Sequence, residues 1–381
     1  MPLQLPADIA SRSTPFYLYD LTLLRQTLTA LQAAARPRDF HVHYALKANA
    51  NAEILALIRE HGLGADCVSG GEVQRALDTG FAPQDIVFAG VGKSDAEINL
   101  ALAADIWCFN AESVEELVVL NELAGAQNRR ARVALRLNPN VDAHTHHYIT
   151  TGLEANKFGI SVSELAAVIE LLSTLHNLEL VGLHAHIGSQ ITNLTVFADL
   201  SQKLNEIQDW LSDRGIMLPH LNVGGGLGID YQRPEENPIP DFEAYFRMFE
   251  ENLVRRPGQQ VHVELGRAVV AQCGTLISRV LYVKRSQQTN FAILDAGMTE
   301  LIRPALYGSY HLIQNLTSQG SRQIYDVVGP ICESSDTFGR EVALPETNRG
   351  DLIALRSAGA YGEVMASNYN LREKAPAVYV G

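Results

Sequence analysis

Apolar positions switch repeatedly between two periods from residue 40 to residue 266. Short apolar runs predict strands at about 42–47, 65–68, 86–90, 106–110, 132–138, 181–187, 220–224 and 261–265. Between them, apolar residues recurring every three to four positions predict helices at Ala52–His61, Glu72–Thr79, Asp95–Ala104, Ser113–Leu123, Val162–Leu175, Val196–Arg214 and Phe242–Leu253. Glycine or proline marks many of the joints. Strands coupled one by one to helical crossovers imply a parallel sheet, and eight strands suffice to close a barrel. A doubly wound open sheet is the alternative, although it normally uses fewer strands. After Arg267 the helical period fades into β-rich runs at Val269–Val283, Phe291–Leu294, Ile324–Val328, Leu352–Leu355 and Ala377–Val380. The strand-like Pro15–Tyr19 is expected to pack with these runs. The expected organisation is therefore an α/β chain with a barrel over 23–268 and a β-rich domain built from 1–22 and 269–381.

In a barrel of this type, chemistry gathers at the C-terminal ends of the strands. The residues predicted there are unusual for a core. The first strand stops at Lys47 and the second carries Asp66; the fifth carries Arg136 and Asn138. The sixth offers His184 and His186 ahead of Gly188-Ser189, the seventh runs into Gly224-Gly225-Gly226, and the eighth gives Glu264 followed by Gly266-Arg267. A lysine snorkelling to the rim of a sheet is the ordinary reading of Lys47 taken alone. A desolvated amine is also a nucleophile toward carbonyls. Loops after the last two strands of a barrel commonly bind phosphate through backbone N–H groups, and Arg267 or Ser189 adds side-chain donors. An amine, a phosphate cradle and the buried carboxylate of Glu264 together point to pyridoxal 5′-phosphate (PLP), with His186 available to lie on the ring face.

Two other readings of these residues are weaker. His184 with His186, or His144, His146 and His147, would make a metal site, but no cysteine or carboxylate completes a set. Ala89–Ser94 resembles the tail of a P-loop, yet Val87 stands where the first glycine is required, so Lys93-Ser94 reads as a loop and helix start.

Composition narrows the class. The formal charge is −13, which disfavours nucleic acid and anionic membrane as partners. No run approaches the roughly 18 apolar residues that a membrane helix needs. The first residues lack the basic start and apolar run of a signal peptide. The four scattered cysteines, Cys67, Cys108, Cys273 and Cys332, form no CxxC pair and suit a reducing cytoplasm.

Motifs along nearly the whole chain resemble the diaminopimelate decarboxylases. They are Tyr44–Asn49, Asp66–Glu72, Asn156–Gly159, His184–Ser189, the glycine triplet, Glu264–Arg267, Arg303–Tyr307, Cys332–Asp336 and Ala360–Gly362. The resemblance implies a fold of the alanine-racemase type, a PLP-binding (β/α)8 TIM barrel plus a C-terminal β-domain of sandwich or barrel kind. It also implies decarboxylation of meso-2,6-diaminopimelate to L-lysine and CO2. Lys47 is then expected to hold PLP as an imine, Glu264 to pair with the pyridine nitrogen and His186 to stack on the ring. Asp66, Ser189, Gly224, Gly225, Gly226, Gly266, Arg267 and Tyr361 are expected around the cofactor. Arg267, Arg303, Tyr307, Glu333 and Tyr361 fall at substrate-contacting positions, and Cys332 at the proton donor's. A buried structural thiol would be the ordinary reading of Cys332 without its neighbour Glu333. The resemblance further implies a homodimer with shared active sites. Leu265 and Ser335 depart from the pattern, standing where many relatives carry proline and glycine; a positive φ at Ser335 would be uncomfortable.

The competing activities are decarboxylation of another basic or siderophore-precursor amino acid, a non-catalytic PLP-binding relative, and racemisation. Arg303 disfavours the first, the presence of both Lys47 and Cys332 the second. Glu264 disfavours the third, which prefers an arginine at the pyridine nitrogen.

Overall fold

The computed structural model describes residues 3, 5–141 and 157–381. Asn156 and the loop histidines His144, His146 and His147 lie outside the described residues. The chain divides into two compact units. One is formed by Leu28–Gly228 and Asp241–Gly266, the other by Met1–Thr27, Ile229–Pro240 and Arg267–Gly381.

In chain order the first strand is β1 (Phe16–Asp20), and the barrel strands are β2 (Phe40–Ala45), β3 (Gly64–Cys67), β4 (Ile86–Phe88), β5 (Cys108–Ala111), β6 (Ala131–Asn138), β7 (Leu178–His184), β8 (His220–Asn222) and β9 (Gln260–Leu265). Strands β2 to β9 pair in parallel in the order β5-β4-β3-β2-β9-β8-β7-β6, and pairing of β5 with β6 closes the ring. The expected closed eight-stranded barrel is present. Closure leaves no open edge, and the strands read as nearly continuous apolar runs because both faces are covered. Val87, Cys108, Ala134 and Val181 form one buried cluster of this unit.

Helix starts follow local chemistry. Ser69, Ser94 and Ser113 each accept a hydrogen bond from the amide three residues on, at Glu72, Glu97 and Glu116. Such caps stabilise a helix end by about 1 kcal/mol each. At Ser94 the glutamate reciprocates as a capping box, which is the helix start expected there. One helix, Leu21–Ala35, lies outside the expected stretches. It buries Leu24, Leu28 and Leu31.

The second unit is a mixed sheet. Its further strands are β10 (Gly274–Arg285), β11 (Asn290–Leu294), β12 (Ile313–Asn315), β13 (Arg322–Val328), β14 (Thr337–Pro345), β15 (Leu352–Leu355) and β16 (Ala377–Val380). They run in the order β12-β15-β10-β11-β13-β14, and β1 pairs antiparallel with β10 and parallel with β16. Phe16 and Leu18 of β1 share a buried cluster with Ile277, Leu352 and Ala354. The run expected from Val269 begins later, because Arg267–Val270 forms a helical turn ahead of β10.

Segment Ile229–Pro240 falls between barrel strands in sequence yet groups with the β-rich unit. Polar contacts explain this grouping. Gln272 donates to the carbonyls of Asp230 and Asn237, Arg356 pairs with Glu235 at 3.0 Å, and Arg267 donates to the Tyr231 hydroxyl at 2.6 Å.

Candidate active site

Strand β2 ends at Ala45, one turn earlier than the run of apolar residues suggests. Leu46–Ala48 tightens into a 3₁₀ turn with Leu46 and Ala48 buried, and the Tyr44 hydroxyl donates to the Asn49 carbonyl at 2.9 Å. Lys47 therefore sits just beyond the strand, at the C-terminal end of the barrel. Its ammonium lies 3.3 Å from Oδ2 of Asp66 on the neighbouring strand, with the lysine side chain 36% exposed and that of Asp66 fully buried. Oδ1 of Asp66 has no hydrogen-bond partner among the described residues. Burial, reinforced by the charge of Glu264, pushes the Asp66 carboxyl up to about 7, with Lys47 pulling the other way.

Glu264, near the end of β9, is buried but well served. Its Oε1 accepts from Nδ2 of Asn222 at 2.7 Å and of Asn110 at 3.2 Å, and Oε2 lies 2.9 Å from Nε2 of His184. Burial alone would raise this carboxyl. His184, then Lys47 and His186, outweigh it and take the group below the usual carboxylate range. Because Oε2 is a carboxylate acceptor, His184 donates from Nε2, and its buried Nδ1 has no hydrogen-bond partner among the described residues.

Two amides of the glycine triplet, which is expected around the cofactor, are engaged within the protein. The Gly224 amide donates to Oδ1 of Asn222 at 2.9 Å and the Gly225 amide to Nδ1 of His186 at 3.1 Å. These two glycines are required sterically. Gly224 sits at φ 71°, where a Cβ would collide with the Ala185 carbonyl, and a Cβ on Gly225 would overlap the Glu264 carbonyl. Accepting at Nδ1 puts the neutral proton of His186 on Nε2, and burial holds its pKa well below the usual imidazole value. Gly226 and Ser189 lie half-buried beside them, and Gly266 is packed against Ala45 and Ala48. Strand β7 ends at His184, so His186 belongs to the following loop. Among the described residues no group of three or more His, Cys, Asp or Glu side chains is placed to hold a metal ion.

The β-rich unit carries its own cluster. Arg303 is 5% exposed, and no carboxylate pairs with it among the described residues. It donates to the Ser309 hydroxyl at 3.2 Å and lies over the rings of Tyr307 and Tyr361 at 5.7 and 5.9 Å, while its Nε has no partner. Burial lowers its pKa, the signature of a cation short of a counter-ion. Arg267, also buried, lies 5.0 Å from the centre of the Tyr361 ring. Tyr361 holds a left-handed backbone (φ 56°), which is uncommon for an aromatic residue. Cys332 and Glu333 are exposed, so the ordinary reading of Cys332 as a buried thiol does not hold. Ser335 donates to Glu333 at 3.2 Å, and its φ is not positive, so the departure from glycine causes no strain.

Sequence reasoning missed Asn110, Asn222 and Tyr231. Both asparagines lie at or beside the C-terminal ends of barrel strands, so the strand-end rule that selected Lys47 and Glu264 reaches them as well. Nothing in the local sequence marks Tyr231.

An amine beside a desolvated carboxylate, an ionised carboxylate held by three donors and a neutral histidine fit the needs of PLP. The unpartnered Asp66 oxygen also leaves polar capacity for a bound group. Comparison with known proteins agrees. Residues 22–271 match the pyridoxal-dependent decarboxylase family at its pyridoxal binding domain. The diaminopimelate decarboxylase of Bacteroides thetaiotaomicron is 58% identical over 361 residues, covering 94% of each chain. The crystal structure of diaminopimelate decarboxylase from Helicobacter pylori complexed with L-lysine superposes with a TM-score of 0.92 at 42% identity, covering 97% of this chain and 92% of that one. A lysine/ornithine decarboxylase from Vibrio vulnificus, at 23% identity and a TM-score of 0.85, shares the fold. With motifs, closed barrel and relatives in agreement over almost its entire length, the chain belongs to the diaminopimelate decarboxylase family.

Proposed function

We propose that the protein is a PLP-dependent carboxy-lyase that converts meso-2,6-diaminopimelate to L-lysine and CO2, the last step of lysine biosynthesis. One Cα–carboxylate bond breaks, CO2 leaves, and a proton takes its place at Cα. When bound, PLP supplies an electron-poor pyridine ring that accepts the electron pair released at Cα.

The chain's own residues divide the remaining work. Lys47 is the residue proposed to hold the cofactor's aldehyde end, and Asp66 sets the charge beside it. Glu264, kept ionised, would hold the proton on the pyridine nitrogen, and neutral His186 would cover the ring face. Ser189, Gly226, Gly266 and Arg267 are assigned to the phosphate, and Tyr361 is assigned by the resemblance to both cofactor and substrate. Cys332, as a thiol, is the proposed proton donor to Cα. Arg267, Arg303, Tyr307 and Glu333 are the proposed substrate contacts, with Glu333 suited to the remote ammonium. The resemblance assigns these roles within a homodimer with shared active sites. A cytoplasmic location is proposed too: all four cysteines are free, and no described helix is long and apolar enough to cross a membrane.

Arg303 carries the choice of substrate. A buried guanidinium without a carboxylate partner is expensive unless a ligand supplies one. Diaminopimelate brings a distal carboxylate; lysine and ornithine do not. Release of CO2 measured across meso-diaminopimelate, its L,L isomer, lysine, ornithine and arginine should be substantial for the meso isomer alone. Arg303→Ala should raise KM for it by about ten- to a hundredfold. Comparable turnover of lysine or ornithine, or an unchanged KM in the variant, would overturn the substrate assignment.

A further inference from the structure

Asn222 belongs to a closed ring of hydrogen bonds. Its Nδ2 donates to Oε1 of Glu264 at 2.7 Å, its Oδ1 accepts from the Gly224 amide at 2.9 Å, and the Gly224 carbonyl accepts from the Glu264 amide at 2.8 Å. Every polarity in this ring is determined. A backbone amide can only donate, so the atom facing Gly224 is the amide oxygen of Asn222, and its nitrogen must face Glu264. A side-chain amide nitrogen can only donate, so Oε1 of Glu264 must accept. The neighbouring Gly225 amide fixes His186 in the same way. One turn of backbone therefore orients both the carboxylate and the histidine, and Asn222 joins the carboxylate to that turn.

We propose that Asn222 is a positioning residue that makes the Gly224–Gly226 turn and the Glu264 carboxylate a single mechanical unit, so that the turn sets where the carboxylate stands. This inference rests on the reading of Glu264 as the partner of the pyridine nitrogen. Asn110 and His184 supply further donors to Glu264, but the amides of the glycine turn bond Asn222 and His186 instead. Asn222 is the member that transmits position. The ring also explains why two triplet amides are occupied within the protein, leaving Gly226 as the triplet's candidate for the phosphate.

The charged and titratable groups facing Glu264 are His184, Lys47 and His186, with Asp66, His43, His262, Cys108 and Tyr245 on or behind the surrounding strands. Removing the Asn222 donor leaves all of these in place and takes away one neutral hydrogen bond. The carboxylate should then accept a proton at higher pH, without any change in the surrounding charges.

The test uses the full-length cofactor-free protein, titrated with PLP by absorbance and fluorescence between about pH 3 and 8 for the wild type, Asn222→Ala, Asn222→Asp, Glu264→Gln and the Asn222→Ala/Glu264→Gln double variant. Asn222→Ala should weaken PLP binding by about ten- to a hundredfold. The acid limb of the binding profile should move to higher pH. Asn222→Asp retains the acceptor for Gly224 but sets a second carboxylate against Glu264, so the limb should move further in the same direction. Because that variant is nearly isosteric, it also serves if the alanine variant does not fold. Glu264→Gln should weaken binding and remove the shift of the limb that Asn222→Ala causes, and the double variant should bind no more weakly than Glu264→Gln alone, as expected of residues acting through one another. If both Asn222 variants bind with wild-type affinity and profile, or if the double variant shows the full sum of the separate losses, the inference falls while the reading of Glu264 stands. If Glu264→Gln itself retains wild-type affinity and profile, that reading falls and takes the inference with it.

Discussion

The barrel carries buried titratable groups at both ends, and the two sets are finished in opposite ways. At the N-terminal end, His43, His262 and His220 form a chain. Nδ1 of His43 faces the Asp85 carbonyl at 3.3 Å, Nε2 of His43 lies 3.1 Å from Nδ1 of His262, and Nε2 of His262 lies 3.1 Å from Nδ1 of His220. A carbonyl can only accept, so His43 carries its proton on Nδ1. His262 then donates from its own Nδ1, and so does His220. Three imidazoles thus share three protons with every contact matched, and Trp107 stacks at 4.6 Å on His262. At the C-terminal end the matching is deliberately incomplete. Asp66 and His184 each keep one buried atom unpartnered, and the Asp66 carboxyl is pushed up to about 7, mainly by burial.

A satisfied polar cluster contributes to folding and offers nothing to a ligand, whereas an unsatisfied one costs stability until a ligand completes it. Substitutions at the two ends should therefore separate into losses of chemistry and losses of fold. The largest effect is expected from Lys47→Ala. Turnover should drop on the order of a thousandfold or more, and the absorbance of covalently held PLP should vanish. Melting of the cofactor-free protein should move little, because neutral Asp66 is tolerated once the amine has gone. A variant with normal cofactor absorbance would remove Lys47 from its role. One that unfolds would break the contrast between the ends.

The C-terminal half of this contrast was legible in the sequence. The alternation of periods is a local property, so the eight strands, their order and the barrel followed from it. Lys47 and Glu264 stood out because charged side chains at the ends of apolar strands need a reason to be there. Asn222 did not stand out, since an asparagine near a glycine turn is common, and its value comes from Glu264, 42 residues away. The steric demands at Gly224 and Gly225 were hidden for the same reason: a glycine triplet signals a tight approach, not what approaches. Here the Ala185 and Glu264 carbonyls do. The histidines of the lower cluster were read only as part of a strand pattern, because their pairing joins residues 42 and 219 positions apart. Segment Ile229–Pro240 went to the β-rich unit through polar contacts that hydrophobic periodicity does not register.

His262→Ala should have the next largest effect, and of the opposite kind. It removes the middle link, leaves Nε2 of His43 and Nδ1 of His220 without the histidine each faces, and opens a void beside Trp107. A cost of about 2–4 kcal/mol follows from the lost packing and the unmet hydrogen bonds. Chemical denaturation should show it directly, while kcat per folded molecule stays unchanged. A fall in kcat with wild-type stability would mean that the lower cluster communicates with the chemistry, and the division between the ends would be wrong.

The smallest effects, and the sharpest in sign, concern pH. Burial lowers the pKa values of His43, His262 and His220. The unfolded chain, with imidazoles near 6.5, then binds protons that the folded chain refuses. Their stabilisation is complete above that value and declines as pH falls below it, by at most about 1.4 kcal/mol per pH unit for each group. Asp66 works the other way. Its folded pKa of about 7 lies above that of an unfolded aspartate, so its contribution is present below about pH 4 and is lost as pH rises toward 7. Urea denaturation of the cofactor-free protein between about pH 5 and 8 should separate the two. Asp66→Asn should steepen the rise of stability with pH by removing the opposing slope, and His262→Gln should flatten it. Saturating PLP should suppress the Asp66 contribution and leave that of the histidines intact, because a bound ligand completes only one of the two ends. Equal suppression of both slopes by PLP would show that the two clusters titrate as one system.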